Sequence, residues 1–137
     1  MSQTPDPEQP TIAAAVIVHD GKLLLVRRRI AEGTLSWQLP AGAVEPAESS
    51  EQAAVRETRE ETGLIVTATT VLGERVHPAT GRAMVYVACT LVSGEALVGD
   101  PEELAEAKWA VPAELPTLVP YGFFEPVQRY LDTALAP

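Results

Sequence analysis

Apolar residues in this chain come in short runs broken by glycine, proline and acidic clusters. In "TIAAAVIVHDGKLLLVRRR", residues 11–29, two unbroken apolar runs flank Asp20-Gly21, a pair that tolerates positive φ, and the pattern predicts a β-hairpin. Strands apolar at every position, rather than at alternate ones, are covered on both faces. "AEGTLSWQLPAG" reads as a loop leading to one short extended piece near residues 37–39. "LIVTATTVL" and "AMVYVACTLV" predict two more strands, joined through "GERVHPATGR". The second sets Met84, Tyr86, Ala88 and Thr90 against Val85, Val87, Cys89 and Leu91, so the Cys89 thiol belongs to a core rather than to chemistry. Behind the acidic loop "GDPEELAE", "AKWAV" predicts a short strand and "PAEL" a helical turn.

Two stretches carry helical signals. Ser49 followed by Gln52 has the spacing of a capping box and Gly63 suits a helix C-terminus, which together bracket a helix over residues 50–62. "FEPVQRYLDTAL" predicts a closing amphipathic helix with Val127, Tyr130, Leu131 and Ala134 inward and Pro126 in its first turn. Strands on either side of a central helix, with a second helix at the end, point to an α/β fold in which a mixed sheet lies between helical layers. Residues 1–10, polar and rich in proline, predict a disordered tail, and residues 11–137 a single domain.

Charge and cysteine content narrow the partners. A net charge of −9 opposes nucleic acid polymers and anionic membranes, while a small anionic substrate needs a local cation to reverse the field. The single cysteine allows no intramolecular disulfide and no cysteine-based zinc site, which fits a reducing cytoplasm. No signal peptide pattern is present and no apolar run approaches the roughly 20 residues that span a bilayer. The expectation is a soluble, cytoplasmic protein.

The segment "GAVEPAESSEQAAVRETREETGL", residues 42–64, sets six glutamates against two arginines. On the predicted helix Glu57, Glu60 and Glu61 stand three and four residues apart and converge on one edge, where like charges oppose helix formation. They also occupy the C-terminal half, where the helix dipole favours cations. A solvated acidic face eased by Arg56 would be the ordinary account. A divalent cation would remove the conflict altogether, and magnesium or manganese (Mg2+ or Mn2+) suits clustered carboxylates. Gly42 and Gly63 read as residues of backbone turns.

The spacing of Gly42, Glu48, Arg56-Glu57, Glu60-Glu61 and Gly63-Leu64 resembles the signature of the Nudix hydrolases. The likeness extends in element order over about residues 12–135, including "WQLPAG" and "EELAEAKW", though its specific motifs lie within 37–64. It implies an α/β/α sandwich with a mixed β-sheet and a loop-helix-loop catalytic box. It further implies hydrolysis of a nucleoside diphosphate linked to another group, using water and divalent cations. Carried over by position, Glu57, Glu60 and Glu61 would be the chief metal ligands, with Glu48 supporting the metal shell. Glu57 would also orient or deprotonate the water, unless a base comes from the later acidic loop, where Glu103, and after it Glu102, is the candidate. Arg56 would pair with a box glutamate. Thr58 departs from the family's bulky aliphatic residue and is expected to loosen helix packing.

For substrate binding, alternation along "RRR" puts Arg28 on one face and Arg27 and Arg29 on the other, and similarity to the family favours Arg28 for phosphate. Trp37, Tyr86 and Tyr121 are aromatic rings suited either to stacking on a base or to a core, and His77 stands in a loop as a substrate contact or a surface residue. The resemblance favours a nucleoside triphosphate cleaved to monophosphate and pyrophosphate. "LPAG" and Pro78 keep ADP-ribose and nucleotide sugars as the alternative, and a non-catalytic nucleotide-binding domain is disfavoured by the retained carboxylates. Several family members form homodimers, which stays open here.

Overall fold

Asp20 and Gly21 have φ of 51° and 71°, the two positive values of a type I′ turn, and they join β1 (Ile12–His19) to β2 (Lys22–Arg29) in the predicted hairpin. The computed structural model describes residues 9–29, 35–78, 80–99, 101 and 103–136. The expected tail, except for Gln9 and Pro10, lies outside the described residues, as do Glu102 and part of the loop before Trp37.

The remaining elements are β3 (Leu35–Gln38), β4 (Ala41–Ala43), α1 (Ser50–Thr62), β5 (Ile65–Val76), β6 (Ala83–Ser93), β7 (Leu104–Ala110), a 3-10 turn (Pro112–Glu114), α2 (Leu115–Leu118) and α3 (Glu125–Ala134). β1 is the hub of the sheet. It runs parallel to β6 and antiparallel to β2 and β4, while β5 pairs with β6, and β3 and β7 both pair with β2.

Alternation along the central strands builds a core on each face. Ala13, Ala15 and Ile17 of β1 pack with Val85, Val87 and Cys89 of β6 and with Ala53 and Ala54 of α1. Ala14 and Val16 pack on the other face with Tyr86, Val127 and Leu131, the last two from α3. The unbroken apolar runs therefore mark strands covered on both sides, and the mixed sheet with its helices forms the expected α/β/α layers. Among the described residues, no helix is long and apolar enough to cross a membrane.

Helix α1 begins and ends as its sequence predicts. Gln52 N–H donates to Ser49 Oγ at 3.0 Å, Ser49 N–H donates to Gln52 Oε1 at 2.9 Å, and Gly63 closes the helix at φ 78° with its N–H on the Arg59 carbonyl. Its buried face carries the small residues Ala53, Ala54, Thr58 and Thr62, which lets the helix lie close against the sheet. Thr58 corrects the expectation of loose packing. It is fully buried, and its hydroxyl donates to the Ala54 carbonyl at 2.7 Å, so the polar group is satisfied within the helix.

Three boundaries differ from the sequence reading. The extended piece near Trp37 is two strands, because the chain turns at Leu39-Pro40 and "AGA" crosses to pair with β1. β5 continues through Gly73–Val76, read as a connection, because β6 offers it a partner as far as Ala83. β7 starts at Leu104, inside the acidic run, paired with β2. In α3, Val127 and Leu131 are buried and Pro126 lies in the first turn, as predicted.

Replacing Ser49 with alanine is expected to remove one half of the capping box and cost about 1 kcal/mol of stability. Urea denaturation checks this, with an unchanged slope showing that only the cap was lost.

Candidate active site

Strand β4 is three residues long, and its backbone is the surface on which the acidic cluster is arranged. Ala41 N–H donates to Glu61 Oε1 at 3.2 Å, and the Ala43 carbonyl accepts from Arg56 Nη2 at 2.9 Å. Between them, a Cβ on Gly42 would lie 2.1 Å from Glu57 Cδ. Gly42 is therefore not a turn glycine, as the sequence suggested, and its φ is not in the positive range. Its missing side chain is the space that the Glu57 carboxylate occupies. Gly63, by contrast, is the turn glycine expected.

Arg56 organises one half of the cluster. It forms a two-pronged pair with Glu48, Nε to Oε2 at 2.8 Å and Nη2 to Oε1 at 2.9 Å. Its Nη1 donates to Glu57 Oε1 at 2.8 Å and to Glu60 Oε2 at 3.2 Å, and Glu45 lies 3.6 Å from the same nitrogen. The predicted pairing of Arg56 with box glutamates is thus present. Glu48, expected to support the metal shell, has both its oxygens held by Arg56, and one also accepts from Glu45 N–H, so it reaches Glu57 and Glu60 through that guanidinium.

Arg28 organises the other half. Its Nη2 donates to Glu61 Oε2 at 2.8 Å, with the two side chains 19% and 4% exposed, and its Nη1 reaches Glu103 Oε2 at 3.3 Å. Of the three consecutive arginines, Arg27 turns instead to Glu106 and Arg29 Nε to the Pro101 carbonyl. Glu103 is thereby brought to the cluster through Arg28 rather than through the box.

The environments set the carboxylates apart. Hydrogen bonds from Arg56 hold Glu48 down to about 2. Burial pushes Glu61 up to about 7 despite the neighbouring Arg28, and burial raises Glu57 against the opposing pull of Arg56. The Arg56 guanidinium, bonded foremost to Glu48, is held still more firmly protonated than usual. Three adjacent glutamates with no sulfur donor nearby are chemically suited to a hard divalent cation. As arranged, however, their oxygens face guanidinium groups, and among the described residues no three acidic, histidine or cysteine side chains converge as a ready ligand set.

The aromatic and histidine candidates stand elsewhere. Tyr86 is 5% exposed in the core on the α3 side, packed on Phe124, with its hydroxyl accepting from Arg75, so its ring has no open face for a base. Trp37 is half-buried against that same core and Tyr121 is fully exposed. His77 lies at the end of β5, separated from β4 by β1 and β6, where burial and Arg75 lower its pKa. Burial raises the Cys89 thiol to about 11, as befits a core residue. The sequence reading missed Glu45 and the backbone groups of Ala41 and Ala43. Only a recognised β4 could have pointed to the latter.

The NUDIX domain model matches residues 9–130. The chain belongs to the Nudix family. This Nudix chain is 36% identical to a putative 8-oxo-dGTP diphosphatase of Bacillus subtilis (strain 168), over 77% of its own length and 70% of the relative's. It is 35% identical to an ADP-ribose pyrophosphatase of Methanocaldococcus jannaschii, over 71% of its own length and 60% of the relative's. The chain spans about half the length of several other curated relatives that it matches. A solved Nudix hydrolase from Nitrosomonas europaea superposes with a TM-score of 0.77 at 24% identity, covering 95% of this chain and 93% of that one, which shows a shared fold.

Two outcomes are expected. Gly42→Ala forces the Glu57 carboxylate aside. It should cost about 1–3 kcal/mol by overpacking and lower kcat/KM for any hydrolysed nucleotide by about 100-fold, as thermal melts and steady-state kinetics would show. Glu48 has a folded-state pKa below its unfolded value of about 4.3, so its contribution is complete above about pH 5 and fades as pH falls through about 2. Glu48→Gln should therefore cost about 1–2 kcal/mol at pH 7 and converge with the parent toward pH 2, measured by denaturant titration across pH.

Proposed function

We propose that this chain is a divalent-cation-dependent pyrophosphohydrolase of nucleoside diphosphate derivatives. A nucleoside triphosphate, cleaved to monophosphate and pyrophosphate, is the first choice. The observation that carries the reading is the placement of Glu57, Glu60 and Glu61 at one edge of α1, two of them packed against β4 and all three contacted by the arginines Arg28 and Arg56. The relative named as a putative 8-oxo-dGTP diphosphatase supports a triphosphate.

In this reading Glu57, Glu60 and Glu61 hold Mg2+ or Mn2+. The cation would supply neutralisation of the pyrophosphate and a lowered pKa for bound water. Arg56 keeps Glu57 and Glu60 in place before substrate arrives, so little reorganisation accompanies reaction. Glu57 Oε1 is held by Arg56, which leaves Oε2 for the cation or, where Glu60 and Glu61 hold the cation, for orienting the water and accepting its proton. The water oxygen bonds to one phosphorus of the anhydride, the P–O bond to its bridging oxygen breaks, and the departing pyrophosphate or nucleoside monophosphate keeps the electron pair. Glu103 is the second candidate for the base, tethered to the cluster by Arg28. The Arg28 fork matches a phosphate.

ADP-ribose is the second reading, favoured by the relative named as an ADP-ribose pyrophosphatase. A hydrolysis screen with Mg2+, products separated by chromatography, distinguishes the two. Monophosphate plus pyrophosphate from a triphosphate supports the first, and AMP plus ribose phosphate from ADP-ribose supports the second. Glu57→Gln, Glu60→Gln and Glu61→Gln should each lower kcat by about 10²–10⁴-fold. Glu60→Gln and Glu61→Gln should keep or slightly raise the melting temperature, because a like-charge repulsion is relieved. Full activity in any of the three would remove that residue from the site.

A further inference from the structure

We propose that Arg28 is the counter-ion of Glu61 in the resting protein, and that an incoming divalent cation displaces it and frees its guanidinium for substrate phosphate. The proposal rests on the reading of the chain as a cation-dependent hydrolase and adds an exchange of partners to it.

A buried carboxylate stays ionised only beside a counter-charge. Glu61, 4% exposed at its side chain, has one oxygen on the Ala41 N–H and the other on Arg28. A cation can therefore take over Oε2 while Oε1 keeps its neutral donor. The two arginines of the cluster differ in how firmly they are held. Arg56 bonds Glu48 twice, Glu57, Glu60 and the Ala43 carbonyl, all between 2.8 and 3.2 Å. Removing it would release the glutamates that it orients. Among the described residues, Arg28 has one short bond, to Glu61 at 2.8 Å, and two longer ones, to Glu103 at 3.3 Å and the Ala41 carbonyl at 3.4 Å. Arg28 is the arginine that can leave.

It also has somewhere to go. Arg28 is the more exposed partner of its pair with Glu61, and Glu103 beyond it is 62% exposed, so a freed guanidinium moves outward along a contact it already makes. The strand beneath it is irregular, with the β2–β7 register shifting between Arg27 and Arg28. A register shift of this kind re-aims a side chain. Once displaced, Arg28 pairs with Glu103 and with the phosphate, so no charge is left buried alone. Cation and polyanion then bind cooperatively, each favouring the state in which Arg28 has left Glu61.

The test is Mn2+ binding to the full chain without nucleotide, followed by calorimetry or by the electron paramagnetic resonance of free Mn2+. Arg28→Gln should bind Mn2+ about tenfold more tightly than the parent, gain more melting temperature on Mn2+ addition, and show a raised nucleotide KM. Arg28→Lys should fall between, since one ammonium cannot span both Glu61 and the Ala41 carbonyl. Equal or weaker Mn2+ binding by folded Arg28→Gln overturns the exchange and makes Arg28 an orienting partner of Glu61. If Arg28→Gln does not fold, Arg28→Lys decides by the same sign. A parent that binds Mn2+ and hydrolyses nucleotide while neither variant gains affinity sinks the exchange alone. If parent and variants all fail to bind Mn2+ at millimolar concentration and the parent hydrolyses nothing, the hydrolase reading falls with it.

Discussion

Carboxylates gathered at one helix edge repel one another, and Glu57, Glu60 and Glu61 stand where the dipole of α1 also disfavours them. Arg56 relieves the conflict from within the same helix. Its guanidinium is shared by Glu48 of the preceding loop, Glu57 and Glu60 of α1, and the Ala43 carbonyl of β4. One side chain thus ties a loop, a helix and a strand together, and the helix cannot shift along β4 without breaking several charge-assisted bonds at once.

That tie requires a close approach, and residue size on both surfaces provides it. The sheet-facing side of α1 is built from alanine and threonine, and β4 presents Gly42 to Glu57 with no side chain between them. Thr58 belongs to this arrangement. A branched polar residue fills the buried position because its hydroxyl has the Ala54 carbonyl one turn back as acceptor. The core on the α3 side carries larger groups, including Tyr86, Leu131 and the flanking Phe124, and meets the acidic cluster through the backbone of Ala41. Chemistry and bulk are divided between the two faces of one sheet.

What was legible in the sequence was local. The hairpin at Asp20-Gly21, both ends of α1 and the inward face of α3 follow from rules about neighbouring residues, and the structure has them as predicted. The box arginine reaches Glu60 by the same kind of local rule, four residues along the helix. The remainder depends on contacts distant along the chain. β4 has no periodicity to read in three small residues, and its strand character comes from β1. The reason for glycine at 42 lies in Glu57, fifteen positions along the chain and on another element. The second partner of Arg28 likewise comes from β7's approach to β2. Tyr86 illustrates the converse, a ring whose type suits stacking but whose strand position puts it in a core.

Formal charge in the cluster then orders events in the proposed reaction. Among the described residues, the ion pairs of the cluster set Glu45, Glu48, Glu57, Glu60, Glu61 and Glu103 against Arg28 and Arg56, within a chain that is itself at −9. Both guanidinium groups already answer to glutamates, so neither offers a net positive field to a polyphosphate. Such a substrate meets repulsion until cations reverse the local sign. Protonation eases the deficit in part at Glu61, whose pKa burial raises to about 7, but it does so by removing the same oxygens that a cation would use. Cation and proton therefore compete for this glutamate, and higher pH favours the cation. In the proposed reaction, the surplus of carboxylates over guanidinium groups thus makes the cation the first ligand to bind and the polyphosphate the second.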